Sequence, residues 1–499
     1  MIQFLIALIP ILWLIIALGT SLLEVHLTSF ISLVLAMVLA YTAFGMSASN
    51  VLSAALEGAL LGLWPILAVI ISAIFTYKLA LHTKSMELIK VMLSGISTDR
   101  RIQVLVLAWG FGSFLEAISG YGTSVAIPAS ILIALGFEPL FAAVVCLIAN
   151  TVPTAYGAVG IAVTTLSKVT GLEVGLLNFY IALQLSLFIV LLPFVLVIIT
   201  GKGLKGVTGI TLVSGIAFVI PQLLTAMFLT EQLPTLVGSL CSLGATILWA
   251  KLFHKDKKSS EVEKISSNKA LLAWLPYLLI FVFIILTSPL AQPISQLLEH
   301  CKTVVTIYTG KSASVMTFKW IDSPGTLIFL AAVMGSLIQG ARLADILRIF
   351  LATFKQMWKS GITVLSIVSV ARVMGYSGMI ASVAAMLIKS TGSFYPFISP
   401  FIGTLGTFLT GSDTSSNILF GALQKEAAVL IDINPYWLAA SNTAGATAGK
   451  MISPQNIAVA TSAAGLAGYE GRIFRKTIGY CLIYVVILGV LIYVGGWML

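Results

Sequence analysis

The sequence predicts an all-α polytopic membrane protein with about twelve transmembrane helices and two re-entrant hairpins, arranged as two inverted repeats. Three observations carry that reading. Of 499 residues, 59% are hydrophobic and only 9% are charged, with mean hydropathy +1.06, more apolar surface than a soluble domain can hide. Two polar, glycine-rich stretches interrupt apolar sequence and resemble each other. Basic residues gather in the loops between apolar runs, as they do on the cytoplasmic side of a membrane.

Apolar runs cut at charged or turn-rich loops predict spans near 3–20, 27–45, 51–78, 138–170, 174–200, 207–229, 233–253, 270–292, 323–341, 360–388, 436–468 and 474–497. The hairpins cover about 104–136 and 394–426. The apolar start lacks a basic n-region and a small-residue cleavage site, so it reads as a retained first span. Segments 85–96 and 344–358 read as short amphipathic helices on the cytoplasmic surface, and 294–322 as the only long external segment. The chain divides into an N-terminal half (1–253), a cytoplasmic loop (254–269) and a C-terminal half (270–499).

The repeat is read from three pairings. Gly112-Ser113-Phe114-Leu115 matches Gly406-Thr407-Phe408-Leu409, 294 residues on. Gly120-Tyr121-Gly122-Thr123-Ser124 matches Gly411-Ser412-Asp413-Thr414-Ser415, 291 on, and Asn150-Thr151 matches Asn442-Thr443, 292 on. Interrupted hydrophobic segments at corresponding places in two halves point to a transporter's binding site.

A net charge of +10 does not signal nucleic acid, because the basic residues sit in loops. Lys251, Lys255, Lys257, Lys258, Lys264 and Lys269, interleaved with Asp256, Glu261 and Glu263, form the clearest such loop. Placing 78–101, Lys202 and Lys205, 251–269, 342–359 and 472–476 all in the cytoplasm is satisfied when both hairpins are re-entrant. The first hairpin then enters from the cytoplasm and the second from outside, which inverts the repeats and leaves both termini outside.

Cys146, Cys241 and Cys481 lie in apolar runs and Cys301 in a polar loop, with no C-x-x-C. His26, His82, His254 and His300 are scattered. No metal or cofactor is implied, and no P-loop or Cys–His pairing supports an enzyme. Lipid is the expected surroundings, and oligomeric state is not encoded.

Non-helical chain at membrane depth is tolerated only inside protein or along a wet cavity. The two tips therefore face inward. The half-helix after each tip turns free N–H groups toward an anion, and Ser124, Ser412, Thr414, Ser415, Ser416 and Asn417 add hydroxyl and amide groups. The plainer alternative is that small residues here only allow close helix packing. Asn150-Thr151 is followed by Pro153, which removes a backbone donor, and Asn442-Thr443 by Gly445 and Gly449. Two tips meeting two breaks make one pocket, so Gly120, Tyr121, Gly122, Thr123, Asn150, Thr151, Asn442 and Thr443 join the candidates.

Charges inside apolar segments are costly and functional by default. Glu116 and Asp413 are the carboxylates nearest the tips, and either can hold a transported proton when burial makes its charged form expensive. Asp413 is also placed to cap the helix that follows it. Lys450 and Arg372 are candidates to neutralise a substrate carboxylate or to pair with one of the protein's own. Glu57, deep in an apolar run, suggests a gate or an ion pair, and Lys78 should snorkel to the interface.

These residues resemble the lactate permease family. The resemblance rests on Phe408-Leu409-Thr410-Gly411-Ser412-Asp413-Thr414-Ser415-Ser416-Asn417, on Gly449-Lys450-Met451-Ile452-Ser453-Pro454-Gln455 with Ile457-Ala458, and on Tyr376-Ser377-Gly378-Met379. In the first repeat it runs through Phe114-Leu115-Glu116, Gly120-Tyr121-Gly122 and Leu135-Gly136-Phe137. The family pattern has Gly-Phe-Gly-Ala-Pro where this chain has Gly120-Tyr121-Gly122-Thr123-Ser124, and Ala-Pro-Val-Ala-Phe where it has Val152-Pro153-Thr154-Ala155-Tyr156. Both changes add hydroxyls. The resemblance implies a symporter of lactate and glycolate with protons in the plasma membrane, working by alternating access. Sodium coupling of another organic anion on the same architecture is the first alternative; a passive anion pore or a membrane enzyme is the second.

Overall fold

Apolar runs without a breaker fold as single helices, because in hydrocarbon every backbone polar group must be satisfied within its own segment. The computed structural model describes residues 2–19, 23–118, 120, 122–254, 266–287, 291–298, 300–310, 315–466 and 469–498. Tyr121 and most of the lysine-rich loop (255–265) lie outside the described residues. Among those described, nine helices are long and apolar enough to cross on their own, and the bent pair Pro139–Ala149 with Val152–Thr170 makes ten. One of the nine, Arg100–Ile118, is a hairpin arm. Ile2–Gly19, Pro324–Ile338, and Pro435–Gly449 continued by Pro454–Ala464 supply the remaining crossings, and the total agrees with about twelve.

Both hairpins form where the sequence places them. The first descends through Arg100–Val104, a π-helical stretch at Leu105–Phe111 and Gly112–Ile118, and returns as Thr123–Ala134. The second descends as Tyr395–Thr410 and returns as Asp413–Leu430. Glycine is required at the second tip: Gly411 has φ +71, and a Cβ there would collide with the Gln455 side chain.

The first broken span departs further from helix than its sequence suggests. Its halves meet at 50°. After the 3₁₀ turn Val152–Tyr156, three consecutive residues, Ala158, Val159 and Gly160, take left-handed φ of 44°, 58° and 74°. For non-glycine residues this conformation costs on the order of 1–3 kcal/mol each, and such strain clusters at functional sites. The span expected at 360–388 is also divided: Trp358–Ser377 ends at Gly378, φ +84, and Met379–Thr391 continues. A glycine that stops a helix in the left-handed conformation explains the division.

Between the hairpins the chain crosses at Pro139–Thr170, Val174–Ile199, Thr208–Phe228, Pro234–Phe253, Ser267–Thr287, Pro324–Ile338 and Trp358–Thr391. That is an odd number of crossings, so the hairpins enter from opposite faces and the repeats are inverted. Loops assigned to one face by charge meet one another. The Arg101 guanidinium donates to the Gly203 and Lys205 carbonyls at 3.0 and 2.9 Å, and Lys359 pairs with Glu24 at 2.5 Å. On the other face Lys425 donates to the Thr170 carbonyl at 2.7 Å, and Asn434 to the Tyr180 hydroxyl at 3.1 Å.

The segment after residue 294 is more than a connector. Lys302–Val305 pairs antiparallel with Met316–Lys319. Tyr308, between them, is driven into the protein and stacks on Tyr376 with ring centroids 3.8 Å apart. The two amphipathic helices run Ser85–Ser94 and Leu343–Gln356, close to their predicted bounds.

Candidate functional site

The hairpin tips and the breaks converge on a cavity of about 180 Å³. Gly120 and Glu116 reach it from the first hairpin, and Thr154, Gly157 and Ala158 from the first break. Ser412, Asp413 and Thr414 come from the second hairpin, and Lys450, Gln455 and Asn456 from the second break. Each repeat thus contributes one tip and one break.

Three ionisable groups define its chemistry. Glu116 is 2% exposed; its Oε2 accepts from the Ser124 hydroxyl at 2.5 Å, and its Oε1 lies 3.9 Å from Lys450 Nζ. Gly157 makes room for that carboxylate, since a Cβ there would sit 2.7 Å from Glu116 Oε1. Asp413 is also buried, and its two oxygens accept from Thr154 at 2.8 Å and Thr407 at 3.1 Å. Asp413 does not cap its helix. Ser412 does, its hydroxyl accepting from the Ser415 N–H at 3.3 Å, which leaves the Asp413 carboxylate for the cavity.

Other candidates stand behind the cavity wall. Asn417 donates to the Ala162 carbonyl at 3.0 Å and accepts from Asn442 and Thr443 at 3.0 Å each. Gln424 extends this network to Asn442 at 3.3 Å and to Tyr395 at 2.9 Å. Ser416 donates to the Gly403 carbonyl, Thr123 to that of Gly120 and Thr151 to that of Ile148, each at 2.8 Å. Gly122 packs on Val459. Asn150 is buried beside the break, and its Oδ1 has no hydrogen-bond partner among the described residues. Asn417, Asn442, Thr443, Gln424 and Ser416 join helices to each other, whereas Thr123 and Thr151 bond within their own turns.

Arg372 is elsewhere. Its Nε lies 3.4 Å from Glu57 Oε1, while its Nη2 donates to the Lys168 carbonyl at 2.8 Å. Glu57 is fully buried and also accepts from the Tyr376 hydroxyl at 2.7 Å and the Tyr308 N–H at 3.2 Å. Of the two sequence readings of Arg372, the structure therefore favours the pair with a protein carboxylate. Lys78 reaches the Gln356 side chain at 2.5 Å.

Four polar residues at the site had no assigned role from sequence: Thr154, Thr407, Gln455 and Asn456. Thr154 had a legible signal, as one of the hydroxyls by which this chain departs from the family pattern. Asn456 donates to the Gly411 carbonyl at 3.2 Å, a long-range contact that no local pattern encodes.

Residues 3–498 match the family model described as L-lactate permease. The L-lactate permease of Streptococcus iniae is 49% identical over 449 residues, covering 89% of this chain and 95% of that protein. The glycolate permease GlcA of Escherichia coli K12 is 33% identical, covering 98% and 94%. The L-lactate permease of the same strain is 34% identical, covering 99% and 97%. The chain belongs to the L-lactate permease family.

Proposed function

We propose that this protein is a plasma-membrane symporter that takes up lactate, and related 2-hydroxy monocarboxylates such as glycolate, together with protons. The observation that carries the reading is the trio Glu116, Asp413 and Lys450 around one small cavity. The relatives' printed names, L-lactate permease and glycolate permease, supply the substrate class. A cavity of about 180 Å³ lies below the roughly 300–1,000 Å³ typical of drug-sized pockets and suits a molecule of a few heavy atoms.

Charge accounting supports the coupling. With both carboxylates ionised, the site holds two negative charges and one positive. A monocarboxylate would add another negative charge where the low dielectric makes unpaired charge expensive. Protonating Glu116 or Asp413 as the anion arrives restores the balance. When Glu116 is the group protonated, Lys450 is also released from it to face the substrate. The substrate hydroxyl then has Thr154, Ser412 and Thr414 as partners, and the N–H groups at the start of Asp413–Leu430 support the carboxylate.

In this reading the basic loops 78–101, 202–205, 342–359 and 472–476 are cytoplasmic and both termini are outside. The contacts of Arg101 with Gly203 and Lys205, within that set of loops, support it. The halves 1–253 and 270–499 act as one unit, exposing the cavity to each side in turn.

The test is uptake of labelled L-lactate into proteoliposomes, first with an inward proton gradient and then with a sodium gradient at equal pH. Proton-driven accumulation is the expected result. Accumulation driven by sodium alone overturns proton coupling, and flux indifferent to both gradients overturns active transport.

A further inference from the structure

A larger cavity, of about 590 Å³, lies away from the centre and is lined by Lys168, Arg372 and Lys425, with Glu426 among its walls. Met316 and Thr317, from the strand after Tyr308, also line it. A neighbouring cavity of about 570 Å³ shares Ser167, Lys168 and Thr317, so Lys168 stands where the two meet. In that neighbour Lys319 is already paired with Asp322 at 2.8 Å. Arg372 is balanced by Glu57, and Lys425 is held by the Thr170 carbonyl. Lys168 differs: among the described residues its ammonium makes no ion pair within 4 Å, and the carboxylate whose charge reaches it, Glu231 in the neighbouring cavity, accepts a hydrogen bond from Thr164 at 3.0 Å.

Two of the helices that line the central cavity also line this one. Gly157–Thr170 carries Gly157 and Ile161 at the centre and Lys168 at the outer cavity. Seven residues of helix, from Ile161 to Lys168, correspond to roughly 10 Å. Asp413–Leu430 likewise runs from Asp413 to Lys425. Between the cavities these helices close on each other: Asn417 bonds the Ala162 carbonyl, and Gly421 is packed against Leu166.

We propose that the outer cavity is a second anion site, in which Lys168, flanked by Arg372 and Lys425, holds a small monocarboxylate before the helix seam opens to the centre. The proposal takes its ligand class from the reading of the protein as a monocarboxylate transporter. A cationic cleft with low-dielectric walls concentrates anions at its mouth. Because Lys168 makes no direct ion pair, an incoming carboxylate meets an ammonium that Glu231 offsets only from a distance. The outer site is loose and roomy and binds weakly; the central site is small and coupled to protonation.

Equilibrium dialysis of labelled L-lactate and labelled acetate against the purified full-length protein tests this. Wild type is expected to show two components, the weaker one sensitive to salt. Lys168→Gln should weaken that component at least tenfold, with Lys168→Arg restoring it, and Lys450→Gln should remove the other component while leaving it in place. Unchanged binding in Lys168→Gln, or loss of all binding in Lys450→Gln, overturns the outer site. Lys168-dependent acetate binding in a protein that does not take up lactate would support the outer site and reject the substrate reading instead.

Discussion

Lys450 Nζ stands 3.9 Å from Glu116 Oε1, each residue buried and each supplied by a different repeat. The register of the repeat accounts for the asymmetry: at the 292-residue offset of the Asn-Thr steps, Lys450 falls opposite Ala158, which has no charge to offer. The ion pair therefore joins the halves, and whatever breaks it loosens one repeat from the other. A buried pair that loses one partner leaves an uncompensated charge worth about 3–5 kcal/mol. That is enough to link anion binding, protonation and movement of the halves.

Glu116→Gln and Asp413→Asn separate the proton carrier from the structural carboxylate. The variant at the carrier position should lose proton-driven lactate accumulation by at least about tenfold, or 1.4 kcal/mol, while keeping lactate-for-lactate exchange, which needs no net proton movement. The variant at the other position should weaken both activities together. Full accumulation in both variants would remove both carboxylates from coupling.

Gly157→Ala places a methyl 2.7 Å from Glu116 Oε1. The carboxylate can yield only by leaving the Ser124 hydroxyl or shifting toward Lys450. Overpacking of this kind costs about 1–3 kcal/mol. Thermal unfolding should show a modest loss of stability, and uptake should fall at least about tenfold. Wild-type uptake by a folded Gly157→Ala protein would show that the position of Glu116 is unimportant.

Span order, both hairpins and the inverted repeat were legible because each rests on a local signal: apolar length, a glycine-rich tip or the charge of a loop. Lys450, Asp413 and Glu116 were legible as well, since an ionisable residue in an apolar segment is conspicuous. Which polar residues face the cavity was not. Asn417, Asn442 and Thr443 carry the same signal as Ser412 and Thr414, and only helix rotation decides which group lines a pocket and which ties helices together. The left-handed turn at Ala158 and Val159 was hidden for a related reason, because neither residue type favours it and only surrounding packing imposes it. Tyr308 looked like one more residue of a loop until Glu57, some 250 positions away, accepted its N–H.

Asn442→Ala checks that division of roles. Its amide donates to Asn417 Oδ1 and its carbonyl accepts from Gln424, with neither group lining the central cavity. Leaving buried partners unsatisfied costs about 1–3 kcal/mol. The variant should unfold at lower temperature while its KM for lactate stays within about twofold of wild type. A large rise in KM without loss of stability would put Asn442 in contact with substrate.

Tyr308→Ala asks what the strand pair Lys302–Val305 and Met316–Lys319 does. Tyr308 ties it down by stacking on Tyr376, and Thr309 adds a hydrogen bond to Asn50 at 3.1 Å. An aromatic pair contributes about 0.5–1.5 kcal/mol beyond the area it buries. Its loss should raise the population of a lifted strap several-fold without unfolding the helices beneath. Met316, 5% exposed and facing the outer cavity, reports on this directly. With Cys241 and Cys301 replaced by Ala, a Met316→Cys protein should react slowly with a hydrophilic thiol reagent. Adding Tyr308→Ala should accelerate the reaction at least about fivefold, with saturating lactate slowing it again if the outer cavity is filled. Equal rates with and without Tyr308 would mean that the strap is held by its strands and by the Trp64 bond to the Lys319 carbonyl rather than by the tyrosine stack.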